Sequence, residues 1–331
     1  MLMNMESLLQ TARKHHFAVG AFNVCDSLLF STVMECAEEQ HAPVIVELAP
    51  PEFSYVGSDF FAYAVKRMQN SSVPCVLHLD HGKTIQDCIR AIRCGFTSVM
   101  IDGSLLAYED NVKLTKTVVE LAHGVDVSVE GEIGTIGALS DSVEGGVEQV
   151  TYTKPEEVTD FLTRTNADTL AVAIGTAHGI YPKGFVPRLR LDILKAIEKV
   201  NTCPLVLHGG SANRDEEIAE ACRHGICKVN IASDVRKAFF QGTKEMLIET
   251  DAFWTPDVFV SGKREAKRVI THKMQLFGCI GQADKSRKFS FWVLEHSKSD
   301  KPINIARGMP WKILFTKIQQ KSSLAGTVCM H

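Results

Sequence analysis

The chain has 331 residues, of which 45% are hydrophobic, enough to bury the core of one large α/β domain or of two smaller ones. A formal net charge of -3 gives no electrostatic indication of nucleic-acid binding, and no apolar run approaches the ~20 residues that a membrane-spanning helix needs. Residues 1–13 lack the basic and then apolar pattern of a signal peptide, so we expect a cytoplasmic protein whose ten cysteines are reduced.

Strand-like and helix-like segments alternate along most of the chain. The predicted strands are residues 17–24, 43–48, 75–81, 98–101, 125–132, 170–174, 204–207 and 226–231. The predicted helices are residues 28–40, 60–70, 84–94, 108–122, 154–165, 191–200, 214–222 and 262–276.

Short apolar strands that alternate with helices are typical of a parallel sheet buried on both faces. Eight such strands predict an α/β fold, a (β/α)₈ TIM barrel, with its active site at the carboxyl ends of the strands. We expect residues 1–285 to form this domain. Residues 286–331 are rich in Lys and Arg and show no clear periodicity, so we expect an appended C-terminal extension rather than a second domain.

Three of the predicted strands lead to a histidine that is followed by glycine. These are His81, His178 and His208. Any one of them alone would be taken as a buried histidine with a hydrogen-bond partner. Three in the same position at the barrel mouth favour a catalytic Zn²⁺ with three imidazole ligands and an open position for substrate or water.

Acidic residues stand beside these histidines. Strand alternation would turn Asp80 to the opposite face from His81, so we expect Asp80 to meet the substrate as a general acid/base. The alternative is that Asp80 only holds a ligand histidine in place. Asp102 and Glu132, also at strand ends, suit that supporting role, and Glu132 could also be a transient metal ligand.

The last two strands end in small and polar residues. Gly209, Gly210 and Ser211 follow the seventh strand, and Ser233 follows the eighth. Late barrel loops often bind phosphate through backbone N–H groups and a hydroxyl, so this pattern favours a phosphate site over an ordinary turn. Arg236 lies one helical turn beyond and is either a partner for a second anionic group or a solvated surface arginine.

Across residues 1–284 the sequence resembles the class II, zinc-dependent ketose-bisphosphate aldolases, and within them the tagatose-bisphosphate branch. The resemblance lies in five motifs, at residues 76–82 (VLHLDHG), 129–134 (VEGEIG), 173–179 (AIGTAHG), 207–211 (LHGGS) and 228–234 (KVNIASD). No Schiff-base lysine is needed in this class.

The resemblance implies a role for each matching residue. His81, His178 and His208 would bind Zn²⁺, and Asp80 would act on the hydroxyl of the bond being cleaved. Zn²⁺ would polarise the ketone and stabilise the developing enediolate. The other substrate- and phosphate-binding residues would be Asn23, Gly179, Gly209, Gly210, Ser211, Asn230, Ser233 and Arg236. A monovalent cation, Na⁺ or K⁺, would lie near the phosphate.

The resemblance also indicates substrate and assembly. Fructose-bisphosphate enzymes often carry Asp where this chain has Ala232, whereas tagatose-bisphosphate enzymes carry Ala. Tagatose 1,6-bisphosphate is thus the favoured substrate, giving dihydroxyacetone phosphate and glyceraldehyde 3-phosphate. Fructose 1,6-bisphosphate is next, and another phosphorylated sugar or sugar acid third. Arg236, together with Arg264 from a neighbouring subunit, would meet the distal phosphate of the substrate. The assembly implied is a homodimer or homotetramer, which could include an accessory subunit.

The sequence departs from the family pattern at two places near the site. Ser140 stands where a loop glutamate is expected, and Asp141 or Glu144 could take the role of that glutamate. Ala49 stands where Ser or Thr usually meets the substrate. These departures keep open the hypothesis of a non-catalytic accessory subunit, and a zinc hydrolase on the same barrel is a second alternative. Asp80 and the three histidines argue against the accessory subunit, since a chain without chemistry need not retain an acid beside a metal site.

Overall fold

The computed structural model describes residues 1–138, 150–179 and 187–285. Ser140, Asp141, Glu144 and the predicted extension from residue 286 lie outside these residues, so the expectations for them and the domain boundary remain predictions. None of the helices in the described ranges is long and apolar enough to cross a membrane.

The described strands form a closed parallel barrel and one small additional sheet. Around the barrel the order is β1, β10, β9, β7, β5, β4, β3 and β2, and β6 pairs with β8 outside it. The strands are β1 (Val19–Asn23), β2 (Val44–Leu48), β3 (Cys75–Gly82), β4 (Ser98–Ile101), β5 (Ser128–Ile133), β6 (Gly137–Ala138), β7 (Thr169–Val172), β8 (Ala177–His178), β9 (Leu205–Leu207) and β10 (Ile226–Ile231). The predicted (β/α)₈ barrel is confirmed.

Helices connect most of the strands and cover the outside of the barrel. They are α1 (Met5–His15), α2 (Ser27–Glu39), α3 (Pro50–Val56), α4 (Ser58–Gln69), α5 (Ile85–Arg93), α6 (Tyr108–His123), α7 (Pro155–Thr165), α8 (Leu191–Glu198), α9 (Asp215–Arg223), α10 (Ser233–Glu249) and α11 (Thr255–Leu276). The sequence patterns missed α1, α3 and α10, and α11 begins seven residues before its predicted start at residue 262.

Local sequence signals account for several helix starts. Thr84 and Asp87 form a reciprocal capping box at the start of α5, with Thr84 Oγ1 accepting the Asp87 N–H at 3.1 Å. Pro50 occupies the first turn of α3, where its missing N–H costs no helical hydrogen bond. The α1 helix is capped by Asn4, whose side chain accepts the N–H of Ser7 at 3.1 Å.

The strands are buried on both faces because helices cover them outside and side chains fill the barrel inside. Every residue of β2, β3, β5 and β10 is buried. Met100, Ala171 and Val206, from β4, β7 and β9, form an apolar cluster of their own, apart from the larger core. We assign this cluster to the interior of the barrel, which is filled by side chains rather than open as a pore.

One close approach between a helix and the barrel lies at Gly131 in β5. A Cβ atom there would lie 2.9 Å from Cε1 of Phe161, a fully buried residue of α7. The absence of a side chain in β5 therefore lets the Phe161 ring pack directly on the strand.

Replacing Phe161 with Ala is expected to destabilise the fold by about 3–5 kcal/mol, because it removes a buried ring and leaves a cavity above Gly131. The measurement is the urea midpoint of unfolding. Phe253 is the matched control, since its side chain is 94% exposed and its replacement by Ala should leave the midpoint nearly unchanged. Equal midpoints for the two variants would contradict the packing described here.

Candidate active site and metal centre

His81 is presented to the barrel mouth by an irregularity at the end of β3. Its φ angle is 48°, in the left-handed region, and the pairing of β3 with β4 shifts register between Leu79 and Gly82. Asp80 and His81 are therefore not on opposite faces, as regular alternation would require. Asp80 Oδ1 lies 3.9 Å from His81 Nε2, so the carboxylate and the imidazole share one site.

His178 reaches the site from outside the barrel. The β7 strand ends at Val172, and the chain then turns at Gly175, whose φ of 109° suits glycine and where a Cβ would lie 2.7 Å from the Arg188 carbonyl oxygen. The following β8 strand pairs with β6. The expectation that a barrel strand delivers this histidine is corrected, because the turn separates β7 from His178.

The three predicted histidines come together at the mouth. All are buried, and one nitrogen of each lies within 4.8 Å of those of the other two. His81 Nε2 and His208 Nδ1 are 2.9 Å apart, and the ring centroid of His178 is 4.8 Å from that of His81.

Carboxylates hold the outer nitrogens of two of these rings. His81 Nδ1 lies 2.9 Å from Asp102 Oδ2, and His208 Nε2 lies 2.7 Å from Glu130 Oε1. Because a carboxylate accepts, each outer nitrogen carries the proton. The inner nitrogen of His208 is then left with a lone pair that faces His81.

The pKa values of His81 and His208 are shifted in opposite directions. Burial, together with the positive charges of His81 and Lys228, holds the pKa of His208 well below its usual range, so this ring is neutral. Burial also disfavours a charge on His81, but the neighbouring Asp80 and Asp102 carboxylates outweigh it and raise the pKa of His81 to about 10. The site therefore attracts positive charge between His81 and His208.

This arrangement fits a bound zinc ion. Imidazole nitrogen is a preferred zinc ligand, and tetrahedral Zn²⁺ with bonds of about 2.0–2.1 Å places its ligands about 3.4 Å apart, within the range found here. The charges that favour a proton on His81 also favour a divalent cation in the same place. A carboxylate behind an imidazole fixes its orientation and raises its basicity.

Asp80 is held by two side-chain amides. Asn23 Nδ2 donates to Asp80 Oδ2 and Asn230 Nδ2 to Asp80 Oδ1, both at 3.1 Å. Burial raises the pKa of Asp80, but the charges of His81 and Lys228 and the Asn23 hydrogen bond lower it below its usual range. Asp80 is therefore an oriented carboxylate that can accept a proton.

Asp102 and Glu132 also lie at the mouth of the barrel. Asp102 Oδ1 accepts the N–H of Ser104 at 3.0 Å, while its other oxygen contacts His81 and the Lys83 ammonium. Glu132 is buried, and its Oε2 has no hydrogen-bond partner among the described residues. Burial and the nearby Asp102 raise the pKa of Glu132 well above its usual range. These contacts support the predicted role of Asp102 in holding His81, and both this role and that of Glu132 as a transient metal ligand remain predictions.

Most of the predicted phosphate-binding residues line one cleft beside Asp80. Its lining is Asn23, Asp80, Ala177, His178, Gly179, Gly209, Ser211, Asn230, Ala232 and Ser233. Ser233 opens α10, whose N-terminal N–H groups and dipole favour an anion. Gly210 is not part of this lining, and its N–H donates to the Asn230 carbonyl at 3.0 Å.

The two predicted arginines lie outside the cleft. The Arg236 guanidinium contacts Glu52, a buried residue of α3 that accepts the N–H of Ala49 at 2.8 Å and the amide of Asn23 at 3.2 Å. Arg264 is exposed and hydrogen-bonds Ser261 at 2.9 Å. Its proposed contact with a neighbouring subunit is untested.

Sequence reasoning missed five buried titratable residues close to the site, which are Glu47, Glu52, His78, Glu130 and Lys228. Three of them could have been found, because strand residues two apart share a face. His78 precedes Asp80 by two positions, as Glu130 precedes Glu132 and Lys228 precedes Asn230. A polar residue two positions before a predicted site residue therefore points to the same side of the strand, one layer deeper in the barrel.

Comparison with known proteins agrees with this geometry. Residues 3–282 match the family model described as fructose-bisphosphate aldolase class-II. The fructose-bisphosphate aldolase of Thermus caldophilus is 37% identical, over 86% of this chain and 100% of that protein. A D-tagatose-1,6-bisphosphate aldolase subunit, GatY, of Klebsiella oxytoca is 36% identical, over 85% and 99%.

A third relative is named for a different substrate. The 6-phospho-5-dehydro-2-deoxy-D-gluconate aldolase of Bacillus licheniformis is 36% identical, over 86% of this chain and 98% of that protein. Among solved structures, the YdjI aldolase of Escherichia coli K12 superposes with a TM-score of 0.76 at 31% identity, covering 86% of this chain and all of that one. Relatives that are 36% or 37% identical to this chain are thus named for different substrates.

Replacing Asp102 with Asn is expected to weaken zinc binding about 10–100-fold, because the carboxylate that orients His81 is lost. The dissociation constant is measured by competition with a chromophoric chelator. Asp126→Asn is the control, since Asp126 is exposed and pairs with Asn4 away from the histidines. Unchanged zinc affinity in Asp102→Asn would rule out this role for Asp102.

Proposed function

This chain belongs to the class-II fructose-bisphosphate aldolase family, and we propose that it reversibly cleaves a ketose 1,6-bisphosphate in a zinc-dependent reaction. As a class II aldolase it is a lyase that breaks a carbon–carbon bond. The observation that carries the proposal is the position of Asp80, whose carboxylate lies 3.8 Å from His208 and 3.9 Å from His81 and also lines the cleft with the small-residue loops.

We assign a step of the proposed reaction to each group. The ketose phosphate is held by Ser211, Ser233 and the backbone of Gly179 and Gly209. Asp80 takes the proton from the hydroxyl at C4 as the C3–C4 bond breaks. The electron pair of that bond stays with the three-carbon fragment, which becomes the enediolate of dihydroxyacetone phosphate, and C4 leaves as the aldehyde of glyceraldehyde 3-phosphate.

His81, His178 and His208 would hold the metal. A bound Zn²⁺ would polarise the substrate ketone and stabilise the negative charge that develops on its oxygen. Asn230 Oδ1 is buried, has no hydrogen-bond partner among the described residues, and belongs to a side chain lining the cleft, so we assign it to a substrate hydroxyl. Na⁺ or K⁺ beside the phosphate remains a prediction.

Tagatose 1,6-bisphosphate is the substrate that we favour. The tagatose-bisphosphate relative and Ala232 support this choice, because a methyl group lines the cleft where fructose-bisphosphate enzymes often carry a carboxylate. Fructose 1,6-bisphosphate is the second choice, supported by the Thermus relative. A phosphorylated sugar acid is the third, supported by the Bacillus relative, whose named substrate is a phosphorylated gluconate derivative.

We also propose a homodimer or homotetramer. Apolar side chains at the joined ends of α10 and α11 support this assembly, since Ile248, Phe253 and Trp254 are 71%, 94% and 64% exposed. An accessory subunit is a further candidate partner, suggested by the word subunit in the name of the Klebsiella relative. The cytoplasmic location expected from the sequence remains a prediction.

Purified protein is expected to release dihydroxyacetone phosphate from tagatose 1,6-bisphosphate faster than from fructose 1,6-bisphosphate. Release is followed by a coupled assay, and a chelator should abolish it until Zn²⁺ is restored. Equal rates from the two epimers would contradict the proposal that Ala232 favours tagatose 1,6-bisphosphate. Release that survives complete removal of metal would contradict the zinc mechanism.

Replacing Asp80 with Ala is expected to lower kcat by at least about 100-fold, because the C4 hydroxyl loses its proton acceptor. Zinc content, measured by atomic emission, should remain at the wild-type value, since Asp80 is not one of the three imidazole ligands. Loss of metal together with activity would instead make Asp80 a support for the histidines. Unchanged turnover would remove Asp80 from the reaction altogether.

A further inference from the structure

A lysine is buried inside the barrel below the three histidines. Lys228, on β10, is fully buried, and its Nζ lies 3.0 Å from Glu130 Oε2 and 3.3 Å from Glu47 Oε2. Burial disfavours its charge, but the two carboxylates and Asp80 raise the pKa of Lys228 above its usual range. An ammonium group in this position is stable only because carboxylates pair with it.

This ammonium stands where the surrounding side chains would otherwise suit a metal. Glu47, His78 and Asp80 bring three ligand-type atoms within 4.8 Å of one another. The positive charge beside them is already supplied by Lys228, which contacts Glu47 directly. We therefore regard Glu47, His78 and Asp80 as the surroundings of the Lys228 ammonium rather than as a second metal site.

A continuous line of polar contacts leads from the lysine to the metal centre. Lys228 donates to one oxygen of Glu130, whose other oxygen accepts the Nε2–H of His208 at 2.7 Å. The inner nitrogen of His208 lies 2.9 Å from His81 Nε2. The four residues are each no more than 3% exposed, so water does not compete with these contacts.

We propose that Lys228 is a positioning residue for the metal centre. Its ammonium fixes the Glu130 carboxylate in the orientation that accepts from His208, and this keeps the His208 lone pair directed at the metal. The inference rests on the zinc site of the proposed function but not on the identity of the sugar. Without the ammonium, the buried carboxylate loses its charge partner, and its hold on His208 weakens.

The test compares zinc affinities of the full-length wild-type protein and Lys228→Met, which removes the charge and keeps a similar length. The affinity, measured by competition with a chromophoric chelator, is expected to fall about 100-fold. In Lys228→Met/Glu130→Gln the amide oxygen still accepts from His208 and no unpaired charge is left at position 130, so the loss should be about 10-fold. The visible spectrum of the Co²⁺-substituted protein should change in the same order.

Lys273→Met is the matched control. Lys273 is another buried lysine, paired with Asp234 at 3.0 Å on the outside of the barrel, so its replacement should lower the urea midpoint without changing zinc affinity. Equal zinc affinities in wild type and Lys228→Met would overturn the proposal, as would an equal loss in Lys273→Met. If Lys228→Met does not fold, the double variant decides, and wild-type affinity in it overturns the proposal.

The same measurements separate this inference from the proposed function. A wild-type protein that binds zinc but cleaves neither bisphosphate would leave the role of Lys228 intact and redirect the search for substrate. A wild-type protein that binds no zinc would overturn both.

Discussion

The contact between His81 and His208 is the interaction on which the rest of the site depends. Because the outer nitrogens of both rings carry protons, the two inner nitrogens, 2.9 Å apart, would face each other with lone pairs unless a positive charge, a proton or a metal ion, lies between them. Asp102 and Glu130 make that charge favourable from the two outer sides. The barrel supplies the geometry, since parallel strands with a common direction bring their carboxyl ends to one mouth.

Charged and apolar side chains lie side by side inside the barrel. Val206 is the register partner of Lys228, and Met100 is the register partner of Glu130. Lys228, Glu47 and Glu130 form a buried charged group close to the histidines and Asp80. A buried charged group costs desolvation free energy, which an apolar group of the same volume would not. This cost has a physical reason if the charged group orients the histidines, and this is the role inferred for Lys228.

Much of the fold and of the site was predictable from the sequence because both depend on local patterns. Short apolar strands between amphipathic helices indicate the barrel, and histidine followed by glycine at the strand ends indicates the metal centre. The left-handed φ of His81 was not predictable, since nothing in the pattern of β3 distinguishes a regular end from an irregular one. The pairing of Arg236 with Glu52 was also missed, because it joins residues 184 positions apart whose contact depends on barrel closure.

The position of His178 on β8 has a consequence for the lifetime of a bound ion. Of the three predicted ligands, His81 lies on a barrel strand and His208 directly follows one, whereas His178 belongs to a two-residue strand that pairs with Gly137 and Ala138. Separating so short a pair requires less free energy than opening the barrel. Opening of this small sheet would therefore release one predicted ligand of a bound ion while the barrel stays folded.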